Sequence, residues 1–144
     1  MIRYFDASAL VKRYVEEPHG EAVRELLDAP AGTVPATSRL SEVEIASALV
    51  RRWREGDLSE PELDRALTSL NDDFTALTVV ELVPEITALA RRLLLAHPLR
   101  AGDAIQLASS AFLQKKVGRP IEFLAFDGRL NAAAAKEGLR AAPS

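Results

Sequence analysis

Four short β-prone runs, Ile2 to Phe5, Thr33 to Thr37, Leu77 to Val83 and Ile121 to Phe126, are separated by segments of helical spacing, and this alternation constrains the fold more than any other feature. Strands joined through helices run parallel, because a parallel pair needs a long crossover whereas an antiparallel pair closes with a tight turn. The expected architecture is α/β, with a central, mainly parallel sheet of four or five strands covered by helices; a short strand near Leu139 to Ala142 would be the fifth.

The intervening helices are expected over Ala7 to Val15, Gly20 to Asp28, Ser38 or Ser41 to Glu55, Leu58 to Leu70, Pro84 to the His97-Pro98 stop, Asp103 to Lys116 and Gly128 to Glu137. Ala29-Pro30-Ala31-Gly32 ends the second of these, and Ser59-Glu60-Pro61-Glu62 opens the fourth with a hydroxyl cap and a first-turn proline. At 144 residues the chain has room for one compact core, so residues 1–144 are expected to be a single domain.

Composition narrows the chemistry. The chain contains no cysteine and only two histidines, His19 and His97, so thiolate zinc sites, cysteine nucleophiles and histidine-rich metal centres are excluded. The N-terminus reaches Asp6 before any signal-peptide core forms and no apolar run is long enough to span a bilayer, so a soluble, cytoplasmic protein without membrane contact is expected. The formal charge of −3 argues against a broad electrostatic grip on nucleic acid. It leaves RNA open, because a bound cation would offset the acids being counted.

Four acids, Asp6, Glu44, Asp103 and Asp127, lie at or beside expected strand–helix junctions, although they are spread over the whole chain. In a parallel sheet such junctions share one rim, where ligands of open α/β sheets bind. Each acid also has a local explanation. Asp6 and Asp103 suit helix caps, Asp127-Gly128 suits a plain turn, and Ser41-x-x-Glu44 matches a capping box. Ser8 is placed to hold Asp6 by a hydrogen bond. On a helical wheel, Leu40, Ser47, Ala48 and Arg51 lie near Glu44, whereas Val43, Ile45, Ala46, Leu49, Val50 and Trp53 form the apolar side, toward which Glu42 points unless it falls in a frayed first turn.

Gathering carboxylates is unfavourable by itself: two like charges about 4 Å apart repel by roughly 4 kcal/mol at an effective dielectric near 20. A divalent cation relieves this, and a hard, oxygen-liganded ion such as magnesium suits a few carboxylates around an open site. The leading expectation is therefore a Mg2+- or Mn2+-dependent enzyme acting on a phosphodiester.

Four blocks, Tyr4-Phe5-Asp6-Ala7-Ser8-Ala9-Leu10-Val11-Lys12, Thr37-Ser38-Arg39-Leu40-Ser41-Glu42-Val43-Glu44, Leu99-Arg100-Ala101-Gly102-Asp103-Ala104-Ile105-Gln106-Leu107-Ala108 and Phe126-Asp127-Gly128-Arg129-Leu130, together resemble a PIN domain. More specifically, they resemble the toxin ribonucleases of VapBC toxin–antitoxin pairs, in order and over nearly the whole chain. The resemblance implies a three-layer α/β/α sandwich and a metal site of Asp6, Glu44, Asp103 and Asp127, with Glu44 favoured over Glu42 by its interval from Leu40. It further implies metal-dependent endonucleolytic hydrolysis of RNA, a cognate antitoxin that silences the toxin, and a toxin homodimer.

Two positions depart from that pattern: Leu107 stands where some PIN nucleases carry a further acid, and Gln106 where many such toxins carry histidine. Lys12, Arg13, Arg39, Arg100 and Arg129 lie near the expected rim as candidate phosphate contacts, and Trp53 and Phe74 are expected in the core by default. Two rival readings are a non-catalytic binding module on the same fold and a phosphotransfer or phosphatase domain using Asp6. The second is weakened by Ser8, where a haloacid dehalogenase phosphatase has an acid, and by the lack of a late strand-end lysine.

Overall fold

A computed structural model describes residues 1–28 and 31–142, so the Ala29-Pro30 part of the expected helix stop lies outside the described residues. Five strands, β1 (Ile2–Phe5), β2 (Val34–Ser38), β3 (Thr78–Val80), β4 (Glu122–Leu124) and β5 (Arg140–Ala141), form one sheet in the order β3-β2-β1-β4-β5. Every neighbouring pair is parallel. The expected sheet is thus present, its last strand reduced to two residues.

The crossovers are helical throughout. α1 (Ala7–Leu10), a 3-10 turn (Val11–Arg13) and α2 (Gly20–Leu27) join β1 to β2; α3 (Arg39–Arg54) and α4 (Glu60–Ala76) join β2 to β3. α5 (Pro84–Ala96) and α6 (Ala101–Val117) lead to β4, and α7 (Gly128–Lys136) leads to β5. Side-chain alternation along the strands divides the core between the two faces. Tyr4 and Phe123 belong to a cluster with Ile86, Leu93, Leu107 and Leu130 from α5, α6 and α7. Phe5 and Leu124 belong to another with Leu10, Val23, Ile45, Leu49 and Phe74 from α1 to α4. Helices on both faces of one sheet make the three-layer sandwich.

Several boundaries differ from the sequence expectation. The first helix tightens after Leu10 into a 3-10 turn, with the Tyr14 amide bonded to the Val11 carbonyl, and this directs both Arg13 and Tyr14 to Asp73 on α4. α4 runs on to Ala76, because Leu63, Leu70 and Phe74 continue one buried stripe across the polar Asn71-Asp72-Asp73. β3 stops at Val80, and Val83, held extended by Pro84, becomes the N-cap of α5. Pro35 is accommodated in β2 because pairing with β3 begins only at Ala36, so no neighbour on that side needs its missing N–H. Phe74 is buried as expected, whereas Trp53 is 40% exposed and Val43 66% exposed, so the apolar side of α3 is narrower than the wheel implied.

Candidate active site

The strand order sets the location of the site. From β1 the chain winds outward through β2 to β3, then returns to the other side of β1 for β4 and β5, so β1 and β4 flank the point where the winding reverses. Phe5 is in register with Leu124, and the Asp6 amide donates to the Leu124 carbonyl at 3.0 Å. Asp6 and Asp127, 121 positions apart in the chain, therefore leave adjacent strands at the same rim.

Asp6 is the N-cap of α1, and its Oδ2 accepts from the Ser8 amide at 3.1 Å and the Ser8 hydroxyl at 2.6 Å. The Ser8 oxygen also accepts from the Phe126 amide at 3.1 Å, tying the exit of β1 to the exit of β4. Only 5% of Asp6 is exposed. Burial pushes its carboxyl up to about 6; the Ser8 bonds oppose this, while Glu44 and Asp103 add repulsion. Asp127 caps α7, with Oδ1 accepting from the amides of Arg129 and Leu130 at 2.9 and 3.1 Å.

Asp103 is not a cap. α6 starts two residues earlier than expected, at Ala101, with Arg100 as its N-cap, so Asp103 lies within the first helical turn. Partial burial and the nearby Asp127 charge raise its carboxyl, against the opposing effect of Arg100. Glu44 is not in a capping box either. Ser38 caps α3 by accepting from the Leu40 amide, which frees Ser41 for another network. Burial raises the Glu44 carboxyl; a hydrogen bond from Gln106 opposes this and Asp103 adds repulsion. Glu42 lies in the first turn of α3 and pairs with Arg39 at the surface, away from this network.

Each of the four acids feels at least one of the others: Asp6 feels Glu44 and Asp103, and Asp103 feels Asp127. Glu44, Asp103 and Asp127 line one open cleft of about 800 Å³ together with Pro98, Arg100, Gly102, Gly128 and Arg129, and Asp6 is recessed from it. Among the described residues no three acidic or histidine side chains form a ready-made metal cage. The donors are carboxylate oxygens, which suit a hard cation. Magnesium in particular is held by one or two carboxylates and keeps several waters for substrate phosphate to displace, so these residues fit such an ion.

Of the five candidate phosphate contacts, Arg100 and Arg129 line the cleft. Lys12 is buried against Glu17 and over the Phe126 ring, Arg13 pairs with Asp73, and Arg39 pairs with Glu42 and Glu81. Sequence reasoning gave no role to Gln106, which proves to be only 1% exposed and bonded to Glu44. Its signal was a polar residue among Ala104, Leu107 and Ala108 on a helix bound for the core, since a buried amide requires partners.

Parallel order, a cleft at the winding reversal and acids contributed by the β1–α1 junction, α3, α6 and the N-cap of α7 define an α/β protein with an acidic rim. The PIN domain family matches residues 3–136, and the chain belongs to that family as a VapC-type member. It is 36% identical over 142 residues to Ribonuclease VapC45 of Mycobacterium tuberculosis, covering 98% of this chain and 94% of that protein. The crystal structure of Mycobacterium tuberculosis VapC20, a sarcin-ricin loop cleaving toxin, superposes with a TM-score of 0.68 at 20% identity, covering 91% of this chain and 94% of that one. VapBC2 from Rickettsia felis, crystallised with a DNA fragment from its promoter, gives 0.57 at 11% identity over 85% and 86%.

Proposed function

We propose that this chain is the toxin of a type II toxin–antitoxin pair and acts as a Mg2+- or Mn2+-dependent endoribonuclease, with residues 1–144 as one working domain. The observation that carries this reading is the convergence of Glu44, Asp103 and Asp127 on one open cleft at the winding reversal, with Asp6 recessed beside them and Arg100 and Arg129 in the same lining. The 36% identity to a ribonuclease along almost the full length supports the substrate class.

In this reading Asp6, Glu44, Asp103 and Asp127 hold the cation. When bound, it supplies Lewis acidity toward the phosphoryl oxygens and makes water a stronger nucleophile. The chain's own groups do the rest. Arg100 and Arg129 draw the scissile phosphate to the cleft and orient it. Ser8 fixes the rotamer of Asp6 by two bonds to one oxygen, leaving the other carboxylate oxygen outside those bonds. Water attacks phosphorus, the bond from phosphorus to the leaving ribose oxygen breaks, and a proton from the water ends on that oxygen.

The partners are an RNA substrate, a cognate antitoxin and a second copy of the chain. Exposed Val43 and Trp53 on α3 and Leu94 and Leu95 on α5 give apolar surface for protein contacts. The deciding experiment incubates purified protein with single-stranded RNA and Mn2+ beside an Asp6→Asn control. Cleavage by the native chain, abolished by Asp6→Asn and by chelation, is the expected result; equal cleavage by the variant refutes the assignment of Asp6. Sedimentation of the chain alone and of the chain co-expressed with the product of an adjacent small reading frame tests the dimer and the antitoxin.

A further inference from the structure

Glu44 is gripped from two positions on α6. Gln106 Nε2 donates to Glu44 Oε1 at 2.8 Å. One turn earlier on the same face, Gly102 leaves room for the other oxygen: a Cβ at position 102 would lie 3.0 Å from Glu44 Oε2. The carboxylate thus occupies a slot with a donor at one end and a bare Cα at the other.

The donor is itself anchored to the sheet. Gln106 Oε1 accepts from the Tyr4 hydroxyl at 2.6 Å, and Nε2 also donates to Ser41 Oγ at 2.9 Å. Ser41 and Thr37 share a 2.7 Å hydrogen bond, and Thr37 donates to the Phe5 carbonyl at 2.7 Å. Because the Thr37 proton is used on Phe5, Ser41 donates to Thr37 and must accept from Gln106. A flipped amide would set Oε1 against the Glu44 carboxylate and leave Ser41 without its donor. The network therefore fixes which end of the amide faces the cleft, and it runs from Glu44 to the carbonyl immediately before Asp6.

We infer that Gln106 and Gly102 are positioning residues that fix the Glu44 carboxylate for a divalent cation. This rests on the metal-dependent reading above, but it concerns a specific link: the site is pre-shaped through a buried amide rooted in β1 and β2. A purely structural Gln106 would satisfy Tyr4 and Ser41 and have no effect on the ion.

The test is calorimetric Mn2+ binding to the purified chain, well below its melting temperature, with circular dichroism as the check on folding. Native protein, Asp6→Asn, Gln106→Leu, Gly102→Ala, Glu44→Gln and the Glu44→Gln/Gln106→Leu double variant are compared. Gln106→Leu and Gly102→Ala are each expected to weaken Mn2+ binding by about 10- to 100-fold, the usual effect of removing a group that orients a metal ligand. In the Glu44→Gln background the Gln106→Leu effect should vanish, since its route to the ion has been removed. Gln106→His, which restores a ring N–H donor, should recover part of the affinity.

If Gln106→Leu and Gly102→Ala bind Mn2+ as the native chain does while Asp6→Asn does not, the positioning role is overturned and the metal site stands. If the native chain binds no Mn2+, or Asp6→Asn binds it equally, the metal reading fails and takes this inference with it. Should Gln106→Leu fail to fold, Gly102→Ala decides, because it crowds the Glu44 carboxylate without removing any hydrogen-bonding group of the Gln106 network.

Discussion

Asp6 shows most directly how the site is held against its own electrostatics. Its carboxyl is raised to about 6 by burial, so between the ordinary carboxylate range and 6 the folded chain holds a proton that the unfolded chain has lost. The unfolded state then binds fewer protons, and metal-free stability falls as pH rises through that window, by roughly 3 kcal/mol for a shift of this size. Melting temperatures in chelator from pH 4 to pH 7 (about the range where a perturbed carboxyl titrates) should decline for the native chain and stay flatter for Asp6→Asn. A native profile that rises with pH would contradict this account. The neighbouring acids show why position in sequence is a poor guide to role. Glu42 and Glu44 are two residues apart on α3, yet Glu42 pairs with Arg39 at the surface while Glu44 faces the cleft and meets the buried Gln106.

Within an element, burial rather than helix propensity governs the cost of change. On α3, Leu49 is fully buried against the sheet and Ser47, two positions earlier, is exposed. Leu49→Ala should destabilise by about 2–5 kcal/mol in denaturant titrations, through lost burial and the cavity left behind. Ser47→Ala should stay within about 0.5 kcal/mol, as surface substitutions usually do. The helices themselves were readable from spacing and end signals. Ser59 and Glu62 form the reciprocal cap of α4, with Pro61 in its first turn, and His97-Pro98 ends α5. Errors fell where local patterns competed. Ser41-x-x-Glu44 fits a capping box, but of the two expected starts, Ser38 and Ser41, it is Ser38, two residues past the β2–β1 pairing, that takes the cap. Asp103 suits an N-cap, but Arg100 holds that position.

Across the molecule, a chain of net charge −3 places two of its cations, Arg100 and Arg129, among the acids of the cleft. In the Asp6→Asn background, which retains the cleft but not cleavage, removing either arginine should lower the slope of log affinity for single-stranded RNA against log salt by about 0.7, one phosphate contact each. Unchanged slopes would move the RNA path elsewhere. No helix among the described residues is long and apolar enough to cross a membrane.

Alternating strand and helix patterns are local properties of the chain, so the parallel α/β class, the helical crossovers and the places of Asp6 and Asp127 at strand–helix junctions could be read from residue order alone. Glu44, by contrast, falls in the second turn of α3, and Asp103 lies in the first turn of a helix that follows α5 and not a strand. Which groups meet is a property of packing. That Asp6 is recessed while three acids line the cleft, that Arg13 and Arg39 are paired with Asp73 and Glu81, and that Gln106 connects Glu44 to Tyr4 all depend on contacts between residues tens of positions apart. Periodicity gives the face on which a side chain lies, but its partner is set only when the strands take their order and the helices close over them.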